Sequence, residues 1–401
     1  MMFKRKDFSL AFTKPFAKMF KQFCWVGCLV FTVIKLQAQN NQIKHLPSDV
    51  LATKETVCLY NNLHKLLGKN VLFGHQDDLA YGVLWQYQKN RSDVKEVTGE
   101  YPAIYGWELG NLELNSIKSL DDVPFNQLKS MIVQGYEKGG INTISWHLNN
   151  PLNGKNAWAV TPGTVHSILP GGNKHHQYTI YLDRLARFLG SLKGKHGEGI
   201  PILFRPFHEL TGNWFWWGQN VSTPQEFIQL WKFTVNYLRN KKNLHHLLYV
   251  YNTAEFSTKQ QFLERYPGDE FVDIISFDAY QHANAFTNQG NEFIKQCTER
   301  ITILNEIAAE KNKLPAFAET GYEAIPQNDW WTSVLLPIIK KQPLSYVMVW
   351  RNAGLMKSTG KMHYYAPYPG HSSAPDFINF CKDSSMIFEK KLKKLNIYQL
   401  K

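Results

Sequence analysis

Two carboxylates stand out by their company. Glu209 lies in RPFHELTGNWFWWG, residues 205–218, after His208 and among Phe207, Trp214, Phe215, Trp216 and Trp217. Glu319 ends an apolar run, LPAFAE, and is followed by Thr320 and Gly321. A carboxyl packed among aromatic rings loses hydration, which raises its pKa and keeps a proton ready for donation. A carboxylate supplied with hydrogen-bond donors stays ionised and can serve as a nucleophile. Arg205 and Tyr280 are candidates to supply those donors. Such a pair fits the hydrolysis of a glycosidic bond with retention, in which the carboxyl groups stand about 5–5.5 Å apart. Either glutamate alone reads equally well as half of a structural ion pair.

The aromatic residues fit the same chemistry. Sugar rings lay apolar C–H faces on indole and phenol rings while their hydroxyls need polar partners. Trp107, Trp146, Trp158, Trp214 and Trp350 each lie within a few residues of a polar group near the end of an apolar run. Trp214 and Trp350 are expected to touch sugar. Trp231 and Trp330 read as core, and Trp216 and Trp217 as wedges that hold Glu209 in place. A rival site is a zinc centre built from His75, His147 and His208. No His-x-His lies on the first run, no bridging lysine is evident, and His175–His176 and His245–His246 are adjacent pairs, so no metal is expected.

Residues this far apart need a scaffold that brings them to one place. Apolar runs recur at 70–76, 102–108, 141–147, 200–207, 247–252, 273–278, 314–319 and 346–352. Between most of them lie helix-length stretches with apolar residues three and four apart, such as YLDRLARFLGSL at 181–192. Alternation of this kind predicts a parallel sheet with crossover helices, and eight runs predict a (β/α)₈ barrel of the TIM type. A doubly wound sheet competes, but no Gly-rich phosphate loop follows the first run. The runs end in His75, Glu108, His147, His208 with Glu209, Asn252, Asp278, Glu319 and Arg351. The C-terminal strand ends of such a barrel carry the active site, here with extended loops expected to form a substrate cleft.

Charge does not point to nucleic acid. Residues 1–38 hold seven Lys/Arg against one Asp, half of the net +12, and the other basic residues are scattered. The leader has a basic start, the twelve-residue apolar run FCWVGCLVFTVI and then KLQAQ. That run is shorter than the roughly 20 residues a membrane span requires. It predicts a signal peptide at 1–38 cut after Ala38, a catalytic domain at 39–401 and a secreted or periplasmic protein. Cys28 sits inside the apolar run rather than after it, which speaks against a lipid anchor. Cys58, Cys297 and Cys381 would remain, read as buried, inert thiols.

Six blocks carry a resemblance. FGHQDDLAYG (73–82), SWHLNNP (145–151), RPFHELTGNWFWWG (205–218), FDAY (277–280), AETG (318–321) and VWRNA (349–353) resemble, in order, motifs of glycoside hydrolase family 26, particularly its β-mannanases. The similarity spans about residues 50 to 385. It implies a (β/α)₈ barrel and double-displacement hydrolysis of β-1,4-mannosidic bonds in mannan, glucomannan or galactomannan. Glu209 would be the acid/base and Glu319 the nucleophile. His147, Trp158, His208, Trp214, Tyr280, Trp350 and Arg351 would line the sugar subsites, with His147 and His208 facing the axial 2-hydroxyl of mannose. Glu108 departs from the aspartate of many relatives, so no binding role is carried onto it; Asp77 and Asp78 are open between rim structure and sugar contact. The resemblance implies no cofactor, no nucleic acid and no obligate protein partner, and a monomer. Activity on mixed-linkage β-glucan or β-1,3-xylan is the alternative within the family, and a non-catalytic polysaccharide binder the alternative outside it.

Overall fold

Each apolar run becomes a strand. In a computed structural model that describes residues 44–282, 290–357 and 359–400, the strands are β1 (Val71–Gln76), β2 (Ile104–Glu108), β3 (Ile141–Trp146), β4 (Ile202–Pro206), β5 (Leu247–Thr253), β6 (Ile274–Gln281), β7 (Leu314–Tyr322) and β8 (Tyr346–Val349). All pair in parallel with their sequence neighbours, and β8 pairs with β1 from Leu72 opposite Tyr346 to His75 opposite Val349, which closes the barrel. A short strand, Met386–Ile387, runs beside the start of β1. The leader and the cut after Ala38 lie outside the described residues.

Closure follows from period two. Side chains alternate along a strand, so one set faces the barrel axis and the other faces the helices. Leu72, Ile104, Ile141, Leu203, Leu248 and Ile274 belong to the inner cluster. Their neighbours Phe73, Tyr105, Phe204, Tyr249 and Ile275 belong to the outer cluster, packed under the helices. The helix Lys54–Leu66, capped by Thr53, adds Leu59, Tyr60 and Leu63 to the inner cluster. The Thr53 N–H donates to the His245 carbonyl at the foot of β5, so this helix closes the N-terminal end.

The other end is built from long connections. The chain runs from Trp146 to the helix His175–Gly190 through a loop carrying a short helix, Thr164–Ile168. From Pro206 it runs through the aromatic loop to the helix Pro224–Asn236, whose start is secured by a Thr223–Glu226 capping box with Pro224 in the first turn. Return connections are short: the helix Asn291–Lys311 leads almost directly into β7. Loop length is therefore concentrated where the strands point, as an active-site face requires. Cys58 and Cys297 are buried and Cys381 is only half-buried; none of the three is in a disulfide. Burial pushes the thiols of Cys297 and Cys381 up to about 12, so both are inert near neutral pH.

Candidate active site

The floor of the site is an ion network on four neighbouring strands. Arg205 of β4, Asn252 of β5 and Asp278 of β6 have the inward parity of Leu203, Leu248 and Ile274. The Arg205 guanidinium donates to Asp278 at 2.8 Å, to Asn252 Oδ1 at 3.3 Å, and to Glu319 of β7. Tyr280 Oη donates to the other oxygen of Glu319 at 2.9 Å, and Asn252 Nδ2 donates to Asp278 at 2.8 Å. Burial opposes the charge on Arg205, but Glu319 and Asp278 outweigh it and hold its pKa above the ordinary arginine value. Glu319 thus has the donors the sequence suggested, both of them.

A bulge aims that carboxylate. β6 and β7 stay in register to Phe277 opposite Phe317, but the next pair is Asp278 opposite Glu319, so Ala318 is an extra residue. The same slip appears against β8, where Val347 faces Phe317 and Val349 faces Thr320. Period two alone would send Glu319 outward with Phe317. The inserted residue turns it onto the inner face beside Asp278.

Glu209 is held differently. Its backbone is left-handed (φ 52°), as is that of Phe207 (φ 51°), a conformation non-glycine residues keep only where the surroundings enforce it. The Glu209 N–H donates to Asn252 Oδ1 at 2.9 Å, and the Glu209 carbonyl accepts from Gly212 N at 2.8 Å. Phe207 is clamped among Trp216, Trp217, Phe227 and Trp231, with ring centroids 6.1–6.3 Å away. Trp216 and Trp217 are fully buried; their indole N–H groups donate to the carbonyls of Leu148 and His208, both at 2.9 Å. These two are the expected wedges. Trp214 is 40% exposed and folds back so that Nε1 donates to Glu209 Oε2 at 2.6 Å. Gly212 makes room for it, since a Cβ there would stand 2.5 Å from the Trp214 ring. Burial, then the charge of Glu319, raises the Glu209 pKa to about 7, against the pull of the Trp214 hydrogen bond. One carboxylate oxygen each of Glu209, Asp278 and Glu319 lie within 4.8 Å of one another.

His147 and His208 form a pair beneath this mouth, with Nε2 atoms 3.0 Å apart. Glu108 bonds His147 Nδ1 at 2.8 Å, so the ring nitrogens of His147 are occupied and both imidazoles are buried. Trp158 stacks on His147 (5.2 Å between centroids, 17° between planes) and is itself 46% exposed. Tyr280 reaches the mouth through Glu319, and Trp350 follows β8 half-buried. Arg351 is tied to Asp121. Two cavities open among the loops at these strand ends. One of about 480 Å³ is lined by Glu209, Trp214, Glu255 and Tyr280, on the β4–β6 side. The larger, about 630 Å³, is lined by Tyr81, Trp85, Asp121, Arg351 and Leu355, where β8, β1 and β2 end.

One expectation needs correction, and two rival readings are decided by the contacts. Trp107 and Trp146 are not sugar platforms: each sits in the outer cluster, its N–H given to Asn142 (2.7 Å) or Glu113 (2.9 Å). Strand parity explains this, because their neighbours Glu108 and His147 take the inward positions. The three histidines of the zinc alternative do not converge. His75 shares the outward parity of Phe73 and bonds Asp78 at 2.8 Å, while His147 and His208 meet each other at Nε2. Asp77 and Asp78 are fully buried and bind Tyr81, His75 and Ser92, a rim-building role. The roles of Glu108 and Asp121 were missed; an acid at the end of a strand next to the His147 strand is the one signal that pointed to the former.

Comparison with known proteins gives a consistent picture. The family model for glycosyl hydrolase family 26 matches residues 48–334. A mannan endo-1,4-beta-mannosidase of Bifidobacterium adolescentis is 28% identical over 361 residues, covering 86% of this chain and 35% of that protein. The chain thus spans about a third of that relative's length. A second mannan endo-1,4-beta-mannosidase, from Bacillus subtilis, is 30% identical over 272 residues, 65% of this chain and 68% of that one. Among solved structures, a β-mannanase of the same family from Bacteroides ovatus is 42% identical with a TM-score of 0.82, covering 87% of this chain and 98% of that one.

Proposed function

The chain belongs to glycosyl hydrolase family 26, and from that membership we propose that it hydrolyses β-1,4-mannosidic bonds in mannan, glucomannan or galactomannan with retention of configuration. The observation that carries the reading is the pairing of two unlike carboxyls within 4.8 Å, one half-buried with a pKa near 7 and one clamped by Arg205 and Tyr280. Glu319 attacks the anomeric carbon while Glu209 gives its proton to the departing glycosidic oxygen, leaving a glycosyl ester on Glu319. Glu209, now a carboxylate, takes a proton from water as that water attacks the same carbon and frees Glu319. The Trp214 and Trp158 rings offer apolar faces to the sugars on either side.

Release of reducing ends from mannan, glucomannan, mixed-linkage β-glucan and β-1,3-xylan tests this reading. Wild type should act on the first two and produce the β-anomer first, and Glu319→Ala should release nothing. Cleavage of glucan or xylan without mannan would overturn the substrate. Equal sugar binding with no cleavage by wild type would make the protein a binder.

A further inference from the structure

Asn252 stands near the end of β5, and every hydrogen-bonding position on its side chain is taken. Its Oδ1 accepts from the Glu209 N–H (2.9 Å) and from the Arg205 guanidinium (3.3 Å). Its Nδ2 donates to the Ser276 hydroxyl (2.9 Å) and to Asp278 (2.8 Å). A guanidinium and a main-chain N–H can only donate, so the amide oxygen must face them and the nitrogen must face Asp278. The side chain is fully buried, and turning the amide over would leave several polar groups unpaired at once.

That amide takes over where strand pairing stops. β4 and β5 run paired from Ile202 opposite Leu247 to Phe204 opposite Tyr249. Past that point the chain enters the loop that carries Glu209 on its left-handed backbone. The two main-chain N–H groups that flank the Glu209 Cα both end on Asn252: Glu209 N on Oδ1, and Leu210 N on the carbonyl at 3.3 Å. Gly212 N and Trp214 Nε1 also bond Glu209, but they belong to the same loop and move with it. Asn252 belongs to the barrel. Its amide braces Arg205 and Asp278 as well, and Arg205 grips Glu319.

We propose that Asn252 is a positioning residue that sets the reach of the acid/base: it fixes the main chain of Glu209 to the same amide that steadies the groups around Glu319. The inference rests on the hydrolase reading above. A retaining mechanism needs its carboxyls about 5–5.5 Å apart, and misplacing a reacting group by about an ångström costs much of its effect. A loop held only by its own bonds has no fixed distance to β7. One amide that bonds both sides supplies it.

The test compares kcat/KM on mannohexaose with kcat/KM on an aryl mannobioside whose leaving group departs without a proton. Asn252→Ala should lose roughly 10–100-fold more on mannohexaose than on the aryl substrate. Asn252→Asp keeps an oxygen for the Glu209 N–H and should bring the two losses together even where overall activity stays low. Equal losses in Asn252→Ala would mean that Asn252 only supports Glu319 and its network, and the inference would fail. Hydrogen exchange of the wild type, followed by NMR, needs no variant to fold. The Glu209 amide should exchange at least about tenfold more slowly than that of the exposed Asn213 in the same loop; equal rates would overturn the proposal. A wild type inactive on both substrates, with the Glu209 amide still protected, would instead count against the hydrolase reading and uphold the grip on Glu209.

Discussion

Glu319 and Glu209 are the same residue type a few ångströms apart, and almost nothing about how they are held is alike. Glu319 sits in a strand, buried, with a guanidinium on one oxygen and a phenol on the other. Glu209 sits in a loop on a left-handed backbone, and among the described residues the one hydrogen bond to its carboxyl comes from the half-exposed Trp214. The contrast shows how a fold gives one carboxyl a charge and the other a proton: donors are concentrated on the first, and burial beside the first acts on the second. The rigid partner is built from the barrel, and the partner that must exchange a proton is built from a loop.

The largest effect should come from breaking the rigid half. Arg205→Met leaves Glu319 and Asp278 buried without their cation, and removing one partner of such a network costs roughly 3–5 kcal/mol. Urea unfolding should show that loss, and kcat/KM on mannan should fall by at least about a thousandfold. Retained stability would mean the network is not what holds Glu319. Next, Glu209→Gln keeps the shape of the loop but has no proton to give. Its kcat on mannan should drop by roughly 10²–10⁴, while formation of the glycosyl-enzyme from an aryl mannobioside with a good leaving group should drop far less. Equal losses on both substrates would deny Glu209 the acid's role. The smallest effect belongs to Trp214→Phe, which removes one N–H and keeps a ring. That bond lowers the Glu209 pKa, so its loss should raise it, and the alkaline limb near pH 7 should move upward by a few tenths of a unit. A downward shift would show that Trp214 acts on Glu209 in some other way.

Much of this was legible before any coordinates. Eight apolar runs gave eight strands with ends within three residues, because a barrel strand buried on both faces leaves a continuous hydrophobic signal. Arg205 and Tyr280 could be named as donors to Glu319 because both end or follow such runs. Trp107 and Trp146 were misplaced by proximity: a residue next to an inward-facing polar group on a strand must face the other way. Arg351 and Asp121 are 230 residues apart in sequence, and only closure of β8 on β1 brings their loops together. The short antiparallel hairpins at Tyr81–Gln86 and Gly354–His363 were also unseen, being too brief to leave a periodic trace.

The extra residue in β7 gives this strand an uneven tolerance to genetic change. Replacing Ala318 alters a volume in the barrel and leaves the direction of Glu319 alone. Losing the Ala318 codon would place Glu319 directly after Phe317 in the register of a regular strand, still opposite Asp278 but without the bulge. The facing of the carboxylate therefore survives the loss of this residue as well as its replacement, whereas the local bend and twist that a bulge adds depend on its presence.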